Sequence, residues 1–251
     1  MANVAKELKD TLNLQREPVG VKFLKAGEVV DFTGHDGATK SRYCQALMRA
    51  GQREKVLITA ENISCPASAA AFGLKPLPEM LSSGKMLFNM GLFDSLDAGR
   101  NAMEGMTRLE QGKYAAVLLS PLEDIEVEPD IVVIEALPEQ LMWLSLASIY
   151  ETGNRLEFNT AVFQATCVDS TVIPFVTGKL NSSLGCYGCR EATDALEEWM
   201  DRTSEDLLKA LEETQDIEEL SGKLGLSQQS INVLLLRMAD KGKIRIDIAK
   251  V

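Results

Sequence analysis

The chain has 251 residues, 45% hydrophobic and 25% charged, which is enough apolar material for a buried core and excludes disorder as the main state. A net charge of −11 argues against a protein that coats nucleic acid over its whole surface, and the single histidine, His35, excludes histidine-rich zinc chemistry and leaves one residue for any Ser–His–Asp or Cys–His site. No apolar run reaches the about 18 residues of a membrane span, and the start MANVAKELKD has no signal-peptide core, so a cytoplasmic protein is expected.

In chain order, Val4, Ala5, Leu8 and Leu12 form a helical stripe that Pro18 ends, and VGVKFL (19–24) reads as a strand. The Gly- and Asp-rich stretch 27–39 is a loop, with His35 as a solvated residue in it. Residues 41–49 read as a short helix or turn around Cys44, and KVLITA (55–60) as a strand. CPASAAAFGL (65–74) is a small-residue helix entered through Pro66. KMLFNMGLF (85–93) reads as a strand and turn, after which Asp94 caps a helix through Met103, with Ser95 and Asp97 in its first turn. Met80, Met86, Met90, Met103 and Met106 fit core filling better than a haem or copper site.

YAAVLLSPL (114–122) and DIVVIEA (130–136) are near-continuous apolar runs separated by the acidic loop EDIEVEPD, the pattern of strands in a sheet covered on both faces. Pro138 opens a helix through Ile149, TAVFQATC (160–167) reads as another strand, and 176–191 as a loop before a helix over 192–200. The expected fold is α+β over residues 1–200, a mixed sheet with helices on its faces.

Residues 203–251 read as a separate small module of winged-helix (helix-turn-helix) type. Leu207, Leu208 and Leu211 give a first helix capped by Ser204, and Ile217, Leu220 and Leu224 a second. Ser221, the turn at Gly225, the cap at Ser227 and Ile231 then follow at helix-turn-helix spacing, and GKIRIDIA alternates like a wing. Gln228, Gln229 and Asn232 carry groups suited to base edges, and Arg237, Lys243 and Arg245 to phosphates. From Leu226 onward five basic residues face two acidic ones, so DNA is a candidate partner of this module; protein docking is the competing use.

The five cysteines are Cys44, Cys65, Cys167, Cys186 and Cys189. A cytoplasmic chain of this size does not need disulfides, and a buried cysteine alone is an ordinary small apolar residue. Cys186-Tyr-Gly-Cys189 is a CxxC in a glycine-rich loop, where both sulfurs can face one centre, as a redox dithiol, half a zinc site or part of a cluster. Cys65-Pro66 stands at a helix entry, and Cys44 lies beside Lys40 and Arg42, charges that favour a thiolate. Lys22, Arg42, Arg190 and Glu61 stand near these cysteines, and the three cations are candidates to clamp an anionic cofactor or substrate. Neither a P-loop nor GxGxxG is present.

EPVGVKFL, SRYCQALMRA, ENISCPASAAAFGL, EPDIVVIEALPEQLMWL and TGKLNSSLGCYGCR resemble the DUF169 family, an archaeal conserved region found largely in archaea and anaerobic bacteria, over about residues 8–200. The resemblance implies Cys44 before Gln, Cys65-Pro66 before alanines, Cys167 ahead of the Thr-Gly loop, and Cys186 in Gly-Cys-x-Gly-x-Arg as the family positions. Cys189 stands where the family has serine. The expected site is therefore Cys44, Cys65, Cys167 and Cys186, with Cys189 as an extra or substitute ligand.

Four thiolates from distant segments of a chain with its own core point to a [4Fe–4S] cluster ahead of zinc. The resulting expectation is a redox or ligand sensor coupled to the winged-helix module, with transcription regulation as output. A redox enzyme or electron-transfer accessory protein of anaerobic metabolism, or a Cys–zinc structural protein, would use the same residues. Expected partners are DNA or a redox protein and a second copy of the chain, and no membrane.

Overall fold

Val19–Lys25 (β1), Val56–Thr59 (β2), Tyr114–Pro121 (β3) and Ile131–Val133 (β4) form one sheet in the order β2-β3-β1-β4. The structure, a computed structural model, describes residues 2–28, 31, 33–161, 163–184, 207–214, 216–224 and 231. The strands pair antiparallel, and parallel pairing is confined to isolated bridges at Asp36–Val56 and Ser41–Ile63. The chain divides into two compact units, Met1–Cys189 and Arg190–Val251.

In the first unit the apolar runs of β1 and β3 are buried on both faces because each face has its own cover. Val19, Val21 and Phe23 share one core with Val56, Ile58, Val117, Leu119 and Val133. Leu24, Ala116 and Leu118 make a smaller cluster on the other side with Leu57 and Ile125. Gly20 permits that cover: a Cβ there would stand 2.7 Å from Ile125 Cδ1.

The helices of this unit are α1 (Ala2–Leu12), α2 (Tyr43–Gly51), α3 (Pro66–Ala71), α4 (Glu79–Ser82), α5 (Lys85–Asn89), α6 (Leu96–Glu104), α7 (Pro138–Ser148) and α8 (Ile173–Thr177), with a π-helix over Ala165–Val172. Helix α2 packs on β1, β2 and β3, and the π-helix contacts α2, α3 and β4. Phe23 is the centre of the core, its ring 5.6 Å from Phe72, 5.4 Å from Tyr114 and 4.7 Å from Phe175. Such tilted and edge-on pairs add attraction beyond area burial. Beyond α1, the buried Glu17 receives Lys9 and Arg53. Burial pushes its carboxyl pKa up, but the hydrogen bonds and charges of Lys9 and Arg53 outweigh that and hold it below the ordinary 4.5.

Several sequence expectations change. Residues 85–93 are not a strand: Lys85–Asn89 is a helix that starts at the left-handed Gly84, where the chain is pressed against the backbone of Leu96 and Gly99, and it buries Leu87 while Met86 and Phe88 are exposed. The following helix is capped by Ser95, whose hydroxyl accepts from Ala98 N at 3.1 Å, and not by Asp94. Of the methionines, Met103 and Met106 fill the core, whereas Met80, Met86 and Met90 are exposed. Residues 160–167 do not form a strand either: the chain is irregular at 160–161 and enters the π-helix at Ala165, drawn by the bonds to Asp169 described below. Of the apolar run 130–136 only Ile131–Val133 is a strand, at the sheet edge with Val133 buried and Val132 exposed, and His35 is half-buried. None of the described helices is long and apolar enough to cross a membrane.

In the second unit, residues 207–213 are helical (α9) and α10 spans Ile217–Leu224, with Asp216 Oδ1 accepting from Glu218 N and Glu219 N at 2.8 and 3.0 Å. Leu207, Ala210, Leu220 and Ile231 form its buried cluster, with Leu208, Leu211 and Leu224 against it. The expected helix over 192–200, the cap at Ser204, the turn at Gly225, the cap at Ser227 and the wing lie outside the described residues.

Gly84 has φ +76°, and a Cβ on it would stand 2.4 Å from both Arg100 N and Leu96 O. Gly84→Ala therefore combines left-handed strain with a clash against backbone, and is expected to cost about 2–4 kcal/mol in urea unfolding. Ile231→Asp buries a charge among Leu207 and Leu220 and is expected to unfold the second unit. Amide exchange should then rise over 207–224 while residues 2–184 keep their protection.

Candidate functional site

Backbone pairing joins the segments that lead into two of the expected ligand cysteines. Ser41 and Ile63 form a parallel bridge, with Ser41 N donating to Asn62 O and Ser64 N donating to Ser41 O. Asn62, 4% exposed, holds this crossing: its Oδ1 accepts from Thr59 N at 2.7 Å, and its Nδ2 donates to Gly37 O and Leu57 O. The two segments then turn into α2 and α3. Cys44 lies in the first turn of α2, buried, and Cys65 is the N-cap of α3, half-buried. Gln45 closes the start of α2 by accepting from Arg42 N at 3.0 Å.

Cys167 arrives from the π-helix, buried, with its thiol donating to Gln164 O at 3.8 Å. Tyr43 connects all three cysteine-bearing elements. Its ring lies edge-on to Phe72, the C-cap of α3, at 4.6 Å, and its hydroxyl is 3.0 Å from Thr171 Oγ1 in the π-helix. Thr171 donates its own proton to Thr166 O at 2.8 Å, so Tyr43 is the donor to Thr171. Burial pushes the Tyr43 phenol far above its ordinary pKa, and the neighbouring Cys167 and Cys44 act in the same direction although the bond to Thr171 opposes them. Tyr43 thus stays protonated and works as a structural donor.

Among the described residues no three His, Cys, Asp or Glu side chains group closely enough to hold a metal ion. Cys44, Cys65 and Cys167 do not make such a site by themselves, and Cys186, Cys189 and Arg190 lie outside the described residues. The donor set they could complete is all-thiolate, the chemistry that suits iron–sulfur clusters and zinc. Lys22 is engaged: its Nζ pairs with Asp130 Oδ1 at 2.9 Å, while Asp130 Oδ2 accepts from Phe23 N. Arg42 is the N-cap residue of α2, and Glu61 is an exposed turn residue whose N donates to Thr59 Oγ1. Gln228, Gln229, Asn232, Arg237, Lys243 and Arg245 lie outside the described residues.

Sequence reasoning passed over a second polar centre, Asp169. It is 1% exposed, and its Oδ2 accepts from Thr160 Oγ1 at 2.7 Å, Ala161 N at 3.1 Å and Ser183 Oγ at 3.0 Å. Asn181 adds a bond from its amide to Asp169 O at 2.6 Å. The TGKLNSS segment is thereby fastened to the π-helix just ahead of Cys186. Asp169 within an apolar stretch was the available signal, since a carboxylate there is tolerated only with several donors.

Asp169→Ala leaves Ala161 N–H and two hydroxyls without their acceptor and is expected to cost about 2–3 kcal/mol. Limited proteolysis should then cut within 157–184 sooner than in the parent protein, while the sheet, followed by circular dichroism, is retained.

No solved structure matches this chain. The chain is 27% identical over 189 residues to "Uncharacterized protein MJ0308" of Methanocaldococcus jannaschii, a match covering 74% of this chain and 81% of that protein. Residues 7–200, which carry Cys44, Cys65, Cys167, Cys186 and the Asp169 centre, match the family described as "Uncharacterised ArCR"; the chain belongs to the DUF169 family.

Proposed function

We propose that this DUF169 protein is a cysteine-ligated iron–sulfur sensor whose state is relayed to its C-terminal unit. The observation that supports this reading is the crossing at Ser41–Ile63, which joins the two segments leading into α2 and α3, the helices whose first turn and N-cap carry Cys44 and Cys65. Cys167 lies in the π-helix that packs on both. Cys186, with Cys189 as extra or substitute, would complete the set. A [4Fe–4S] cluster supplies one-electron redox chemistry when bound. The protein's own part is to hold the thiolates on packed elements: Tyr43 keeps α2, α3 and the π-helix in register, and Asn62 fixes the approach to Cys65.

DNA is the proposed target of the C-terminal unit, with Gln228, Gln229 and Asn232 reading bases and Arg237, Lys243 and Arg245 on phosphates. Anaerobically purified protein is expected to carry about four iron and four sulfide per chain with broad visible absorbance, and Cys65→Ser to lose most of it. It should also shift its own upstream DNA differently with and without the cluster. Stoichiometric zinc, or a metal-free protein with no visible absorbance, would overturn the cluster reading. Cluster-loaded and apo protein that both bind upstream DNA no better than random DNA would overturn the DNA reading.

A further inference from the structure

A cleft of about 640 Å³ lies between the edge strand β4, helix α7 and residues 178–183. That volume is within the about 300–1,000 Å³ of ordinary small-molecule sites. Its walls are mainly aliphatic: Val132, Val133 and Ile134 from the sheet edge, Leu141 and Leu144 from α7, and Leu180 opposite. Helix α7 explains why the space stays open. It carries one charged residue, Glu139, and a helix so apolar is normally buried. Here none of its residues is buried. Gln140 fastens its first turn, donating to Leu12 O and Asn13 O at 2.8 and 2.9 Å and accepting from Leu137 N at 2.7 Å. Beyond that turn, Leu141, Leu144, Ser145 and Ser148 face the cleft at helical spacing.

Among the described residues the polar lining is Lys179, Asp130, Asn181 and five serines. Lys179 is its lysine, exposed and without an ion pair to any described carboxylate. Ser170, from the π-helix, and Ser182 add hydroxyls with no hydrogen bond to a described residue. The lining carboxylate, Asp130, is neutralised by Lys22 and by Phe23 N. The adjoining hollow of about 460 Å³ shares Lys179, Leu180 and Asn181 but contains Glu157, which disfavours an anion on that side.

We propose that this cleft binds a medium-chain acyl carboxylate, its chain along Val132, Ile134, Leu141 and Leu144 and its head at Lys179 and the Ser170 and Ser182 hydroxyls. None of the described residues lining the cleft is a cysteine, so this site is tested apart from the cluster.

The test is calorimetric titration of the full-length protein with decanoate, below its micelle concentration, beside decan-1-ol and acetate. Saturable one-to-one binding of decanoate is expected, with acetate showing none. Decan-1-ol should bind about tenfold more weakly or worse, as should decanoate to Lys179→Ala, the ratio for one lost charge-assisted contact, with Lys179→Arg restoring affinity. Ala147→Phe, at an exposed wall position, should abolish binding without lowering the melting temperature. Absence of saturable decanoate binding would overturn the proposal, as would binding that neither Lys179→Ala nor Ala147→Phe alters. Sedimentation with anionic vesicles without binding of free decanoate would assign the face to a membrane and equally overturn it.

Discussion

The hydrogen bond from Tyr43 to Thr171 is the contact on which the first unit is organised. It is fully buried, so neither group has water to replace its partner, and its loss would leave a polar atom in the core. Tyr43 opens α2, its ring rests on Phe72 at the end of α3, and Phe72 meets Phe23 at the middle of β1. One side chain therefore sets the depth of α2 over the sheet, the position of α3 and the rotation of the π-helix. The three described cysteines sit on those three elements. A change that shifts any one of these elements strains the same aromatic cluster.

Asp169 plays the corresponding part on the outer side of the π-helix. Tyr43 holds the inner side through Thr171, and two residues earlier Asp169 gathers Thr160, Ala161 and Ser183 from outside. π-Helices are rare, and single π turns recur at functional sites because their backbone bonds are less favourable than those of an α-helix. This one lasts eight residues because side-chain bonds on both sides fix it.

The strands and most helices were legible because their signal is local: apolar runs bounded by Pro, Gly or acids, and helical stripes behind Pro66 and Pro138. The failures share a cause. Residues 85–89 and 160–167 are rich in apolar or β-branched side chains that suit a strand, and their structure is decided by partners far away. Gly84 against Gly99 sets the first case and Asp169 against Ser183 the second. The cysteines were legible as residue types but not as a geometry, since Asn62 and Tyr43, which position them, carry no spacing rule. The cleft was invisible in sequence for the opposite reason. A helix as apolar as α7 is ordinarily buried, and only the structure shows that none of its residues is.

The π-helix is also where the two proposed sites meet. Cys167 and Ser170 stand three residues apart on it, one toward the thiol side and the other in the acyl cleft, with Asp169 between them. Coupling between the two proposed sites follows from this placement. A ligand drawing on Ser170 loads the segment that Tyr43 and Asp169 hold, and a centre bound through Cys167 loads it from the other side. Linkage then requires reciprocity: a cluster that tightens acyl binding must be tightened by the acyl ligand by the same factor. The element able to carry that coupling is the π-helix itself, because a one-residue change from π to α winding would turn Ser170 relative to Cys167.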